Sequence, residues 1–140
     1  MNNKTILDIN RVPHNVQKNL DNALKNAYSP YSKIKVACVL LFKDKSVISG
    51  CNIENSSYSC TICAERCAIF NAVSQKANLK DVQNVYIKCD QENCFSPCGA
   101  CRQVMAEFLM PSTIITMLSS KNKKMEVSSL EKLLPNSFSL

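Results

Sequence analysis

The stretch Cys63-Ala64-Glu65-Arg66-Cys67-Ala68-Ile69-Phe70-Asn71-Ala72-Val73, read with Pro97-Cys98-Gly99-Ala100-Cys101 downstream, decides how the chain folds. Ala64, Ala68, Ile69, Ala72 and Val73 recur at helical spacing, so a helix is expected to follow Cys63. Residues 98–109 repeat the pattern, with Val104, Met105, Phe108 and Leu109 turned inward. Both cysteine motifs therefore stand at helix N-termini, where the positive end of the helix dipole stabilises thiolates.

Working outward, residues 35–42 form a mostly apolar run of strand length, residues 43–45 a turn, and residues 46–51 a returning antiparallel strand. Residues 85–89 and the β-branched run 113–118 read as further strands, and 125–127 as a short edge strand. Before them, Val16, Leu20, Ala23, Leu24 and Ala27 mark one face of a helix over residues 13–27, ended by Ser29-Pro30. A last short helix is expected over 128–134, capped by Ser128 or Ser129 and stopped before Pro135. Strands alternating with helices imply a layered α/β domain with a mostly parallel sheet. The length of 140 residues, 46% of them hydrophobic, suits one domain over residues 1–140.

No apolar run approaches the length of a membrane span, and the polar start Met1-Asn2-Asn3-Lys4-Thr5 lacks the apolar core of a signal peptide. The glycosylation sequons at Asn3 and Asn55 carry no weight without such a signal. Nine cysteines is a high and odd count, but a disulfide scaffold suits a short secreted chain, which this is not, and a reducing, cytoplasmic setting is expected. Cys38, Cys51 and Cys89 lie in strand-like stretches, where cysteine serves as a small hydrophobe. The net charge of +6 comes from scattered lysines, apart from a run at Lys121, Lys123 and Lys124 that reads as a solvated turn. No aromatic residues interleave with that run, so neither nucleic acid nor membrane is expected as a partner.

Thiols at 63, 98 and 101 can hold zinc in three of its four tetrahedral positions, leaving the fourth for water, as catalytic zinc sites do. Glu65 then stands within reach of that water without serving as a ligand. A bare Cys-x-x-Cys is also compatible with a redox pair or with half of a structural zinc site. For a closed site, Cys60, Cys67 and Cys94 are the candidate fourth ligands by proximity, while His14, the one histidine, is distant in sequence. Ahead of the first motif, Asn52-Ile53-Glu54-Asn55-Ser56-Ser57-Tyr58 places Asn52 and Glu54 on the same side of an extended segment. Together they offer a donor and acceptors suited to a sugar hydroxyl.

Cys-x-Glu with a distant Pro-Cys-x-x-Cys is the signature of zinc nucleobase deaminases. The sequence closely resembles the small homotetrameric cytidine deaminases. The resemblance runs from Ala27-Tyr28-Ser29-Pro30-Tyr31-Ser32-Lys33 through Asn52-Ile53-Glu54-Asn55 and Cys63-Ala64-Glu65-Arg66 to Pro97-Cys98-Gly99-Ala100-Cys101-Arg102-Gln103-Val104 and Leu133-Leu134-Pro135. It implies a three-layer α/β/α fold with a mixed, mostly parallel five-stranded sheet. It also implies one zinc per chain on Cys63, Cys98 and Cys101, with Glu65 as the proton shuttle and Arg66 hydrogen-bonded to the zinc-bound sulfurs. Asn52 and Glu54 would hold the ribose 3′-hydroxyl, with Tyr58, Ala64, Ile34 and Phe138 as further substrate contacts. Phe138 matches an aromatic that reaches a neighbouring subunit's pyrimidine pocket. The chain departs from the family's usual pattern at Ile34 (Phe), Val36-Ala37-Cys38 (Val-Gly-Ala), Cys67 (Thr) and Asn136 (Gly).

The activity so implied is hydrolytic deamination of cytidine and 2′-deoxycytidine to the uracil nucleosides and ammonia, a step of pyrimidine salvage, by a homotetramer. The competing readings are a deaminase of another cytosine-containing substrate and a non-enzymatic zinc or redox module. The second gives Glu65 no special role.

Overall fold

The computed structural model describes residues 9–138 and residue 140. The polar residues 1–5 and Ser139 lie outside the described residues. Among the described residues four α-helices and five strands follow in the order α1 (His14–Asn26), β1 (Val36–Phe42), β2 (Val47–Cys51), α2 (Ala64–Ser74), β3 (Val82–Cys89), α3 (Gly99–Phe108), β4 (Ile114–Ser119), β5 (Met125–Ser129) and α4 (Leu130–Leu133). The sheet order is β2-β1-β3-β4-β5.

β1 explains the layering. Its side chains alternate between the two faces of the sheet. Ala37, Val39 and Leu41 join Tyr86, Leu118 and Met125 under Val16, Leu20 and Ala23 of α1. Cys38, Leu40 and Phe42 join Val85, Ile87, Ile115 and Met117 under Ala64, Ala68, Ile69 and Ala72 of α2 and Met105 of α3. The strand is covered on both sides, which is why residues 36–42 are nearly all apolar instead of alternating. Val39 and Leu40 are fully buried, each side chain contributing about 1.5–3 kcal/mol. The three-layer α/β/α arrangement is as expected.

The parallel character of the sheet is smaller than expected. Among the described strands only β3 and β4 pair in parallel; β1–β2, β1–β3 and β4–β5 are antiparallel. The alternation of strands and helices was a sound signal with an incomplete consequence. The crossover through α2 does join two strands of the same direction, β2 and β3, but β1 lies between them and opposes both.

Element ends shift for local reasons. α1 stops at Asn26, ahead of Ser29-Pro30, with Ala27 already extended at ψ 129°. β3 starts at Val82, directly after a 3-10 turn over Leu79–Asp81. Ser128 and Ser129 belong to β5, because they pair with Ile115 and Ile114. The last helix is correspondingly a single turn, and the Ser129 side chain makes no cap hydrogen bond to it.

Two close approaches place the site. A Cβ on Gly50 of β2 would stand 2.4 Å from the Ala68 nitrogen and 2.8 Å from the Ala64 oxygen, so only glycine lets α2 lie this near the sheet. Ile53 bridges Tyr28 on one side and Ile62 on the other. That bridge draws the segment before β1, the segment after β2 and the entry to α2 into one patch.

Candidate metal centre

Cys63 is the N-cap residue of α2 and Cys98 that of α3, with extended backbone at ψ 154° and 167°. Cys101 lies in the first turn of α3, and its N–H donates to the Cys98 sulfur at 3.4 Å. The three Sγ atoms all fall within 4.8 Å of one another, and those of Cys63 and Cys98 are 3.9 Å apart. Thiolates around zinc at about 2.3 Å lie about 3.8 Å from each other, so this donor set fits the ion. Cys98 is exposed, Cys63 half-buried and Cys101 buried, which leaves the cluster open on one side.

The protons of the cluster are unevenly shared. The Cys63 thiol is pulled down to about 5 by a hydrogen bond from Cys101, aided by Arg66 and Cys98. Cys101 moves the opposite way, because it holds the proton of that bond and is buried. Cys63 thus favours the thiolate form that a metal binds, with hydrogen-bond donors around its sulfur. The Arg66 guanidinium donates to the Cys63 sulfur at 3.7 Å through Nη2, while its Nε is buried without a hydrogen-bond partner among the described residues. Glu65 is only 5% exposed. Burial raises its carboxyl to about 7, with the neighbouring Cys63 adding to the rise.

No fourth protein ligand joins the cluster among the described residues. Cys60 is exposed and Cys67 half-buried; Cys94 donates its thiol proton to the Lys124 carbonyl at 3.4 Å. His14 begins α1, which packs on the opposite face of the sheet.

The other expected site residues form a second group. Asn52 does face the same segment as Glu54, but both of its amide atoms are engaged there. Oδ1 accepts the Val36 N–H at 2.9 Å and Nδ2 donates to the Ile34 carbonyl at 2.9 Å. Glu54 Oε2 accepts the N–H groups of Tyr31 and Ser32 at 3.0 and 3.2 Å. An open cleft of about 360 Å³ is lined by Tyr31, Ser32, Glu54, Tyr58 and Thr61. Tyr58 is 77% exposed and meets Tyr31 edge to face, with ring centroids 6.2 Å apart. Ala64 is buried and Ile34 half-buried, whereas Phe138 is 70% exposed.

Two residues that shape the centre escaped the sequence reading. Gly50 seats α2; its signal was a glycine inside a strand, in a chain with 2 glycines. Arg102 donates to the Pro97 carbonyl at 2.7 Å, the Leu133 carbonyl at 2.7 Å and Ser96 Oγ at 2.8 Å. It thereby ties the loop entering Cys98 to the end of α4. Its partners are mostly backbone carbonyls, which no sequence pattern reveals.

A layered α/β fold with three thiols and a buried carboxylate at two helix N-termini defines a zinc-site protein. The chain belongs to the family described as the cytidine and deoxycytidylate deaminase zinc-binding region, whose profile matches residues 13–117. It is 45% identical over 117 residues to a cytidine deaminase of Sporosarcina psychrophila, covering 84% of each chain. It is 44% identical over 116 residues to one of Halalkalibacterium halodurans, covering 83% of this chain and 86% of the relative. Among solved structures, the cytidine deaminase of Burkholderia pseudomallei superposes with a TM-score of 0.83 at 34% identity, covering 91% of this chain and 100% of that one. That of Mycobacterium tuberculosis gives 0.73 at 30% identity, covering 92% and 99%.

Proposed function

We propose that this chain hydrolyses the exocyclic amino group of cytidine and 2′-deoxycytidine, yielding uridine and 2′-deoxyuridine with release of ammonia. The observation that carries the reading is Glu65, a carboxyl 5% exposed in the first turn of α2, two residues from a thiolate of the three-sulfur cluster. A structural zinc site or a redox pair has no use for a buried acid there.

Cys63, Cys98 and Cys101 would hold the zinc, which supplies a Lewis acid that brings the pKa of a bound water toward about 7. Glu65 accepts the proton of the attacking water as its oxygen adds to C4 of the pyrimidine. It delivers that proton to N3, then takes the second proton from the new C4 hydroxyl and passes it to the amino group, which leaves as ammonia while the C4 carbonyl forms. A carboxyl poised near neutrality is suited to both taking and giving a proton. Arg66 draws electron density from the Cys63 sulfur, offsetting the excess negative charge of three thiolates. Glu54 binds and orients the sugar, joined by the second amide hydrogen of Asn52, whose first is taken by the Ile34 carbonyl, and Tyr58, Ala64 and Ile34 surround the nucleoside.

The proposed unit is one domain over residues 1–140 acting in pyrimidine salvage in the cytoplasm, assembled as a homotetramer. Support for assembly comes from the exposure of Tyr58 at 77% and Phe138 at 70%, large rings that a neighbouring subunit would cover. Phe138 would reach the pyrimidine pocket of a neighbouring subunit. Light scattering should give four times the chain mass of 15.6 kDa; a monomer would rule out shared sites. The activity itself is tested by incubating the zinc-loaded protein with cytidine and measuring uridine and ammonia. Equal amounts of both are expected, and absence of turnover overturns the reading.

A further inference from the structure

Three hydrogen bonds fix the Glu54 carboxylate. Oε2 accepts two N–H groups, from Tyr31 and Ser32, which fills both of its lone pairs. Oε1 accepts the Ser32 hydroxyl. One acceptor position therefore remains, on Oε1, in the cleft lined by Tyr31, Ser32, Glu54, Tyr58 and Thr61. The Ser32 oxygen in turn accepts the Ile34 N–H at 3.0 Å. A single hydroxyl thus joins the carboxylate to the backbone that presents Ile34, and Asn52 grips the same backbone from the other side at the Ile34 carbonyl. Lys33, between the two bonded residues, adopts a left-handed φ of 60°, which these bonds hold in place.

We propose that Ser32 is a positioning residue for nucleoside recognition: its hydroxyl orients Glu54 so that one acceptor position on Oε1 faces the cleft and selects a donating sugar hydroxyl. The inference rests on the proposed function, because it takes the ligand of the cleft to be the nucleoside sugar. It adds that the selectivity resides in the pair Ser32–Glu54 and not in Glu54 alone. With the Ser32 hydroxyl removed, Oε1 has two open positions, the carboxylate loses one of its three fixing bonds, and the Ile34 N–H loses its acceptor.

The test compares cytidine with 3′-deoxycytidine, which lacks the donor, in the parent, Ser32→Ala and Ser32→Thr proteins. Ser32→Ala should raise the KM for cytidine about tenfold, change kcat by less than about threefold and move the KM for 3′-deoxycytidine by no more than about twofold. Ser32→Thr, which keeps the hydroxyl, should retain the parent's discrimination between the two substrates. An unchanged KM for cytidine in Ser32→Ala overturns the inference. So does an equal rise for both substrates, which would mark Ser32 as a loop residue only, or a Ser32→Thr protein that behaves like Ser32→Ala. These outcomes leave the proposed function standing as long as the parent deaminates cytidine; a parent that does not turn over cytidine removes both.

Discussion

The Arg66 guanidinium donates to the sulfur of Cys63 at 3.7 Å, one turn of α2 away. It is the cation placed on the thiolate of the cluster, and that contact raises its own pKa in return. Three thiolates on one divalent ion leave a net negative centre, so a donor to one sulfur makes the ion a better acid. Arg66→Gln should keep most of its zinc and lose activity by about 10–100-fold. Metal analysis and kcat measured on the same preparation check this; full activity would remove Arg66 from the account.

The spacing of the sulfurs gives a second expectation. About one zinc per chain should be bound, and Cys98→Ala should lose most of it, since each thiolate is one of three protein ligands. The absorption spectrum of cobalt-substituted parent protein should report three thiolate ligands. Four thiolates, or zinc fully retained by Cys98→Ala, would contradict the ligand set.

Burial of Glu65 carries a pH signature in the zinc-free protein. Its folded pKa, about 7, lies above the unfolded carboxylate value of 4.5. The protonated form is favoured in the fold, so this contribution to stability is complete below pH 4.5 and is lost as pH rises through 7. The loss is on the order of 3 kcal/mol. Cys63, whose folded pKa is lowered to about 5, favours folding as pH rises above that value, so the parent's own profile mixes two opposite trends. The difference between parent and Glu65→Gln carries the carboxyl's contribution together with its coupling to the neighbouring thiols. Urea unfolding from pH 4.5 to 8 should show Glu65→Gln gaining on the parent across this window, and a constant difference would refute the assignment.

Gly50 offers a purely steric test. The added methyl of Gly50→Ala would meet backbone atoms of Ala64 and Ala68 at 2.4–2.9 Å, and α2 cannot yield as a side chain would. The substitution should cost about 3 kcal/mol or more and weaken zinc retention, because α2 carries Cys63. Unfolding midpoints and metal content measure both effects; a protein as stable as the parent would mean that α2 is not seated on Gly50.

The centre was legible because its chemistry is local. Cys63, Glu65, Cys98 and Cys101 come from two short segments whose residue types and spacing are dictated by zinc and by helix starts, and the fold brings the three thiols together. The helices and strands were legible from periodicity, since β1 is continuous in apolar residues and α1 is striped. Strand order was not, because nothing in the residues of β1 says that it will lie between β2 and β3. For the same reason Asn52 read as a free donor and acceptor. Its bonds to Ile34 and Val36 depend on which segments become neighbours, a tertiary fact. Arg102 was passed over because it acts mostly through backbone carbonyls, and Ser32 because its bond to Glu54 joins segments distant in sequence.

The most direct test of the central claim is turnover by Glu65→Gln protein that has been shown to bind zinc. Glutamine preserves the shape of Glu65 but cannot carry a proton. The variant should hold about one zinc per chain while converting cytidine to uridine and ammonia roughly 10²–10⁴-fold more slowly than the parent, the scale of a lost general acid–base. Near-parental turnover by a zinc-loaded Glu65→Gln protein would contradict the account.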